Sequence, residues 1–222
     1  METPGWVAET RFQQSFLADG ERRLLVWIAR HVPTCINSDH LTILGFVAQL
    51  GTGLSYVLCR MNSRWLLIGV AFLLLNWLGD SLDGTLARLR GQMRPRYGFY
   101  VDHILDSFGA VAVLAGLAVS GYMSPAVATM LLVLFLLLSI QSYLAVYALG
   151  EFRLSFWRFG PTEIRVALAV GNFALFRWPT VSSIHYRLFD VGGTIAVGVM
   201  SAMLVYFTGK NISRLYRLEP LA

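Results

Sequence analysis

From residue 40 onward the chain is a series of apolar runs separated by short breaks of polar residues, glycine or proline. Six runs stand at about 40–60, 65–88, 98–120, 124–148, 162–178 and 188–208, each near the roughly 20 residues a helix needs to cross hydrocarbon. The fifth is the shortest. Ahead of them the pattern differs. Between Glu21 and Val32, the apolar Leu24, Leu25, Trp27, Ile28 and Val32 recur at helical spacing while Arg22, Arg23 and Arg30 take other positions. This predicts an amphipathic helix lying at a membrane surface, ended by Pro33. Residues 1–19 are polar and mixed, and no internal repeat stands out. The expected fold is an all-α membrane protein: a polar N-terminus and surface helix over 1–36, six transmembrane helices over 37–210, and a tail over 211–222.

One stretch breaks the apolar rule. Asp80, Asp83 and Arg88 lie at the end of the second run, and Asp102 and Asp106 lie at the start of the third. A charged side chain at membrane depth costs about 2.5–3.5 kcal/mol on insertion scales, so four gathered acids call for compensation. A bound cation is the usual one. At about 100° per residue, Asp80, Asp83, Gly84, Ala87 and Arg88 share one helix face of roughly 140°. Gly98, Asp102 and Asp106, each four residues apart, form a narrower stripe on the next helix. Two facing helices would therefore gather all four carboxylates around one point. Hard divalent ions take oxygen ligands, and Mg²⁺ is commonly held by a few carboxylates together with substrate phosphates. Gly84, Ala87 and Gly98 leave room for a ligand near the backbone, and Arg88 offers a fork of donors suited to phosphate. The residues by themselves describe a metal-assisted phosphate site in a membrane.

The order Asp-x-x-Asp-Gly-x-x-Ala-Arg, nine residues, then Gly-x-x-x-Asp-x-x-x-Asp, resembles the signature of the CDP-alcohol phosphotransferases, integral membrane enzymes of phospholipid synthesis. The resemblance implies transfer of a substituted phosphate from a CDP-linked donor to an alcohol, with release of CMP and help from Mg²⁺ or Mn²⁺. It implies Asp80, Asp83 and Asp102 as metal ligands, with Asp106 as a further ligand and the general base. It also implies Gly84, Ala87, Arg88 and Gly98 as contacts to the cytidine nucleotide, and a homodimer as the assembly. Compactness and likeness to the smaller microbial members favour CDP-diacylglycerol as donor and a prokaryotic cell membrane as location. The alternative is a CDP-alcohol of choline or ethanolamine type acting on a diradylglycerol. A rival of another class is a cation transporter, since intramembrane acids often line ion paths; it has no need for Gly84, Ala87, Arg88 and Gly98 beside the acids. A purely structural subunit would leave the acids uncompensated.

Composition agrees with a bilayer: 56% of residues are apolar and only 14% are charged, against the roughly 25% charge of soluble domains. The formal charge of +5 is therefore a matter of topology, and nucleic acid is not an expected partner. With six spans, only Arg60, Arg64, Arg177 and Arg187 fall on the side opposite the termini. The asymmetry places both termini and the acidic cluster at the cytoplasmic face. The N-terminus carries no apolar run with a small-residue cleavage site, so no secretory signal is expected. Cys35 and Cys59 lie near opposite ends of a predicted span, so no disulfide is expected.

Softer features complete the expectations. Gly51, Gly53, Gly192, Gly193 and Gly198 should let helices pack closely. Ser38 or Asp39 should cap the first transmembrane helix; these two also stand where the family often has Pro-Asn, ahead of Leu41 and Thr42. His103 should pack rather than bind metal, and His31, His40 and His185 call for no special role. Arg153, Arg158, Thr162, Glu163 and Arg165 form a second polar concentration. Resemblance to the family supports an acceptor pocket on that side, and the arginines tilt the choice toward a phosphorylated acceptor.

Overall fold

The computed structural model describes residues 18–150, 161–178 and 187–220. Among them the secondary structure is helical throughout, with α1 (Ala18–His31), α2 (Ser38–Leu58), α3 (Trp65–Leu89), α4 (Pro95–Ser120), α5 (Pro125–Leu149), α6 (Pro161–Arg177) and α7 (Leu188–Leu218). Five of these, α2, α3, α4, α5 and α7, are long and apolar enough to cross a membrane, which makes this a multi-pass membrane protein. The fifth predicted run is α6, with 17 residues.

The caps explain the boundaries. Asn37, not Ser38 or Asp39, starts α2: its side chain accepts from the His40 backbone N–H at 3.1 Å while its own N–H donates to His40 Nδ1 at 3.2 Å. This reciprocal box satisfies two helix-end donors and gives His40 a role that sequence position did not suggest. Asp39 instead pairs with Arg94 at the start of α4. Gly121, at φ 85°, ends α4 in a left-handed turn that a side chain would strain. The last helix runs about ten residues past the apolar run that predicts it, to Leu218. Polar residues do not stop a helix; Pro220 does, by forcing Glu219 out of helical geometry (φ −129°, ψ 69°). At 1.5 Å per residue the 31 residues of α7 span about 46 Å, so its basic last turns extend beyond the hydrocarbon.

Small residues set the packing. α2 runs antiparallel to α3, with Gly45 against Gly79; a Cβ on Gly79 would stand 2.6 Å from Gly45 N and Leu41 O. α2 lies parallel to α4, where Gly53 meets the backbone of Ala112 and Gly116. α2 is therefore held between two close neighbours. Gly51 faces the Phe72 ring, and Gly193 lets α7 approach Val127 on α5. Among the described residues nothing lies within 4 Å of a Cβ built on Gly192 or Gly198, so neither seats a described neighbour. α6 packs antiparallel on α3, and α5 against α7 and α4. α1 rests on α3: Leu25 and Ala29 are buried with Leu41, Leu82 and Leu86, while Leu24 and Trp27 face outward. A second apolar cluster, including Tyr56, Leu66, Leu117, Leu175 and Phe189, closes the opposite end of the bundle.

Gly79→Ala should destabilise the protein by about 1–3 kcal/mol, the usual result of overpacking, because the clash is with backbone. Gly192→Ala should leave the melting temperature in detergent unchanged, and thermal unfolding of the two variants checks the contrast.

Candidate active site

Three helical stripes meet in one pocket. α2 contributes Thr42, Phe46 and Gln49; α3 contributes Asn76, Asp80 and Asp83; α4 contributes Asp102, Leu105 and Asp106. On α2 and α3 successive contributors are three or four residues apart, and on α4 Leu105 and Asp106 follow Asp102 by three and four, which puts each set on one face of its helix. The close approach of α2 to α3 at Gly45 and Gly79, and of α2 to α4 at Gly53 and Gly116, turns these faces inward on one another. Gly109 on α4 gives Gln49 its seat, since a Cβ there would collide with the Gln49 carboxamide.

The four acids predicted as a unit thus line one pocket, and hydrogen bonds compensate two of them directly. Asp83, almost fully buried, accepts from the Thr42 hydroxyl at 2.7 Å. Asp80 accepts from Arg165 Nη2 at 2.6 Å, while Arg165 Nε donates to Asn76 Oδ1 at 2.7 Å. Asn76 in turn donates to the Gly45 carbonyl at 3.0 Å. Asp106 lies within electrostatic reach of Asp80, Asp83, Asp102 and Arg165. A guanidinium from α6 thereby bonds two residues of a pocket built by three other helices.

The remaining predicted residues fall elsewhere. Gly84, Ala87 and Arg88 lie beyond the acids toward the end of α3, and Gly98 lies one turn before Asp102; none of the four lines the pocket. Arg88 Nη2 donates to Thr85 Oγ1 at 3.2 Å, and Gly98 has open space where a Cβ would be. Thr162 donates to Glu21 at 3.3 Å, and Glu21 also accepts from Trp77 Nε1 at 2.7 Å, tying α1, α3 and α6 together. Glu163 sits beside Thr162 in the first turn of α6, partly buried and outside the acidic pocket. Arg153 and Arg158 lie outside the described residues. His103 packs as predicted, its Nδ1 2.6 Å from the Phe99 carbonyl and its ring against Phe99 and Tyr143. A separate shallow cleft opens between α5 and α7, lined in part by Gln141, Ser142, Lys210, Asn211 and Arg214.

Sequence reasoning missed Phe46, Gln49 and Asn76 as parts of the pocket. The signal was present: Asn76 is an amide inside an apolar run, four residues before Asp80 and seven before Asp83, and Gln49 is seven after Thr42.

A family model for CDP-alcohol phosphatidyltransferase matches residues 36–209, from the capping loop of α2 to near the end of α7. The chain belongs to that family. No curated protein matches it. The family consists of transferases of substituted phosphate groups, so the protein is an enzyme, and family membership points to phospholipid synthesis. Family members generally depend on a divalent metal. The donor set fits such an ion, since carboxylate, amide and hydroxyl oxygens face one pocket and no sulfur does. Among the described residues no three acidic, histidine or cysteine side chains converge tightly enough to hold an ion in this arrangement. Arg165 and Thr42 occupy oxygens of Asp80 and Asp83 instead.

Asn76→Leu should cost about 1–3 kcal/mol, because it removes the side-chain donor that ties α3 to the Gly45 carbonyl and takes one of two acceptors from Arg165. Thermal unfolding in detergent measures it.

Proposed function

We propose that the protein transfers the phosphatidyl group of CDP-diacylglycerol to an alcohol and releases CMP. The observation that supports this reading best is that the four motif acids line one pocket inside a chain matched over most of its length by the family model. In the reaction the alcohol oxygen forms a bond to the lipid-linked phosphorus, the bond from that phosphorus to the CMP oxygen breaks, and CMP leaves with the electron pair. Asp106 takes the proton of the attacking hydroxyl, as a general base must lie within hydrogen-bond reach of the proton it removes. Asp80, Asp83, Asp102 and Asp106 would hold the divalent ion, Mg²⁺ or Mn²⁺. Such an ion offsets charge on the diphosphate oxygens. Thr42 and Asn76 orient the acids: one holds Asp83 directly, the other supports Asp80 through Arg165. Gly84, Ala87, Arg88 and Gly98, at the adjoining ends of α3 and α4, would take the cytidine nucleotide.

We read α6 as a further span that brings the total to six, supported by its antiparallel packing on α3, and α1 as an interfacial helix, supported by the outward Leu24 and Trp27 beside exposed Arg22, Arg23 and Arg30. The basic residues favour a cytoplasmic acid pocket and termini. Family resemblance supports a homodimer in a prokaryotic membrane, with a catalytic domain over 37–210. For the acceptor we favour a phosphorylated alcohol; the basic α5–α7 cleft, with Lys210 and Arg214, adds support to the arginines near α6.

Incubation of purified protein with radiolabelled CDP-diacylglycerol and a panel of alcohols should release CMP with one acceptor class; release only from CDP-choline or CDP-ethanolamine would move the donor assignment. CDP-diacylglycerol should raise thermal stability only with Mg²⁺ or Mn²⁺ present, whereas a cation transporter would respond to the ion alone. Asp106→Asn should lower turnover by about 10²–10⁴-fold, the range typical of a lost general base, while donor binding is largely kept. Retained activity in that variant removes the base assignment.

A further inference from the structure

We propose that Arg165 is a resident cation of the acidic pocket that competes with the divalent ion for Asp80 and leaves it when the ion loads. The proposal rests on the reading of the pocket as an ion site. Its ground is the placement of one side chain. Arg165 starts on α6, yet its guanidinium reaches α3 and makes two directed hydrogen bonds there, to Asp80 Oδ2 at 2.6 Å and to Asn76 Oδ1 at 2.7 Å. The Arg165 side chain is only 12% exposed, so its charge is largely withdrawn from water, while Asp80 at 35% is partly exposed.

The electrostatics make the two cations alternatives. Four carboxylates line the pocket, and Arg165 is a cation bonded to one of them, Asp80. Without it, Asp80 would add its repulsion to Asp83, Asp102 and Asp106. A divalent ion shared by these acids needs an Asp80 oxygen and brings two positive charges to the same place. Guanidinium and ion on one carboxylate repel each other at contact distance. Loading therefore weakens the Arg165 bond to Asp80, and by reciprocity the Arg165 bond weakens loading. Once displaced, the guanidinium sits at the rim with a free fork of donors for an anionic oxygen. Ion binding is thus a precondition for that contact, and Arg165 acts as a positioning residue that couples the two.

The test uses the full chain purified in detergent, without substrates, and follows Mn²⁺ binding by the loss of the free-ion electron paramagnetic resonance signal. Arg165→Gln should bind Mn²⁺ more tightly by about fivefold or more, in the usual range of such couplings, and Arg165→Lys, which keeps the charge but not both hydrogen bonds, should fall between it and the unaltered protein. Separately, the arginine ¹⁵Nε resonance absent from Arg165→Gln should shift when the unaltered protein is saturated with Mg²⁺. Equal or weaker Mn²⁺ binding by both variants overturns the competition while leaving the ion site in place. Failure of the unaltered protein and both variants to bind Mn²⁺ at all overturns the ion site itself, and the proposal with it.

Discussion

Four carboxylates share one pocket between helices that otherwise present hydrocarbon to a membrane, and their mutual repulsion is the constraint from which the rest of the arrangement follows. Each acid taken singly would cost about 2.5–3.5 kcal/mol at membrane depth. Together they require donors and positive charge on every side. The Thr42 hydroxyl meets Asp83, and the Arg165 guanidinium meets Asp80 while Asn76 steadies it. Asn76 is itself anchored on the Gly45 carbonyl, so a backbone group of α2 terminates the chain of contacts that begins on α6. The polar network and the helix packing are one structure.

That packing depends on missing side chains. Gly45 and Gly79 bring α2 onto α3, Gly53 and Gly116 bring it onto α4, and Gly109 clears the space that Gln49 fills. With lipid on the outside there is no hydrophobic gain in pressing apolar helices together, so close backbone approach and interhelical hydrogen bonds must supply the cohesion. The same approach that stabilises the trio also aims its three polar stripes at one point. α1 adds a tie from outside: Glu21 joins Trp77 on α3 to Thr162 on α6, one turn before Arg165.

Five of the expected spans and the gathering of the acids were legible because both rest on strong local signals. An apolar run near 20 residues has few readings, and Asp80, Asp83, Asp102 and Asp106 stand at spacings that a helix converts directly into a face. What was not legible depended on which residues meet across helices. Gln49 and Asn76 carry the right periodicity, but a single amide in an apolar run has many uses, and only the contact of α2 with α3 and α4 gives these theirs. Arg165 pointed to a basic acceptor pocket when counted among neighbouring arginines; its contact with Asp80 is a long-range fact, 85 positions away in the chain. The cap at Asn37 and the extension of α7 to Leu218 were boundary matters. One turned on a one-residue choice among adjacent polar residues, the other on the tendency of a helix to continue until proline stops it.

The most direct measurement is the anomalous scattering of Mn²⁺ in crystals grown with the ion and a CDP-linked lipid. If the three stripes serve a single ion that grips the diphosphate, the anomalous peak lies among the carboxylates of Asp80, Asp83, Asp102 and Asp106 with phosphate oxygens beside it. A nucleotide-lipid seated away from these side chains, with no peak between them, would contradict it.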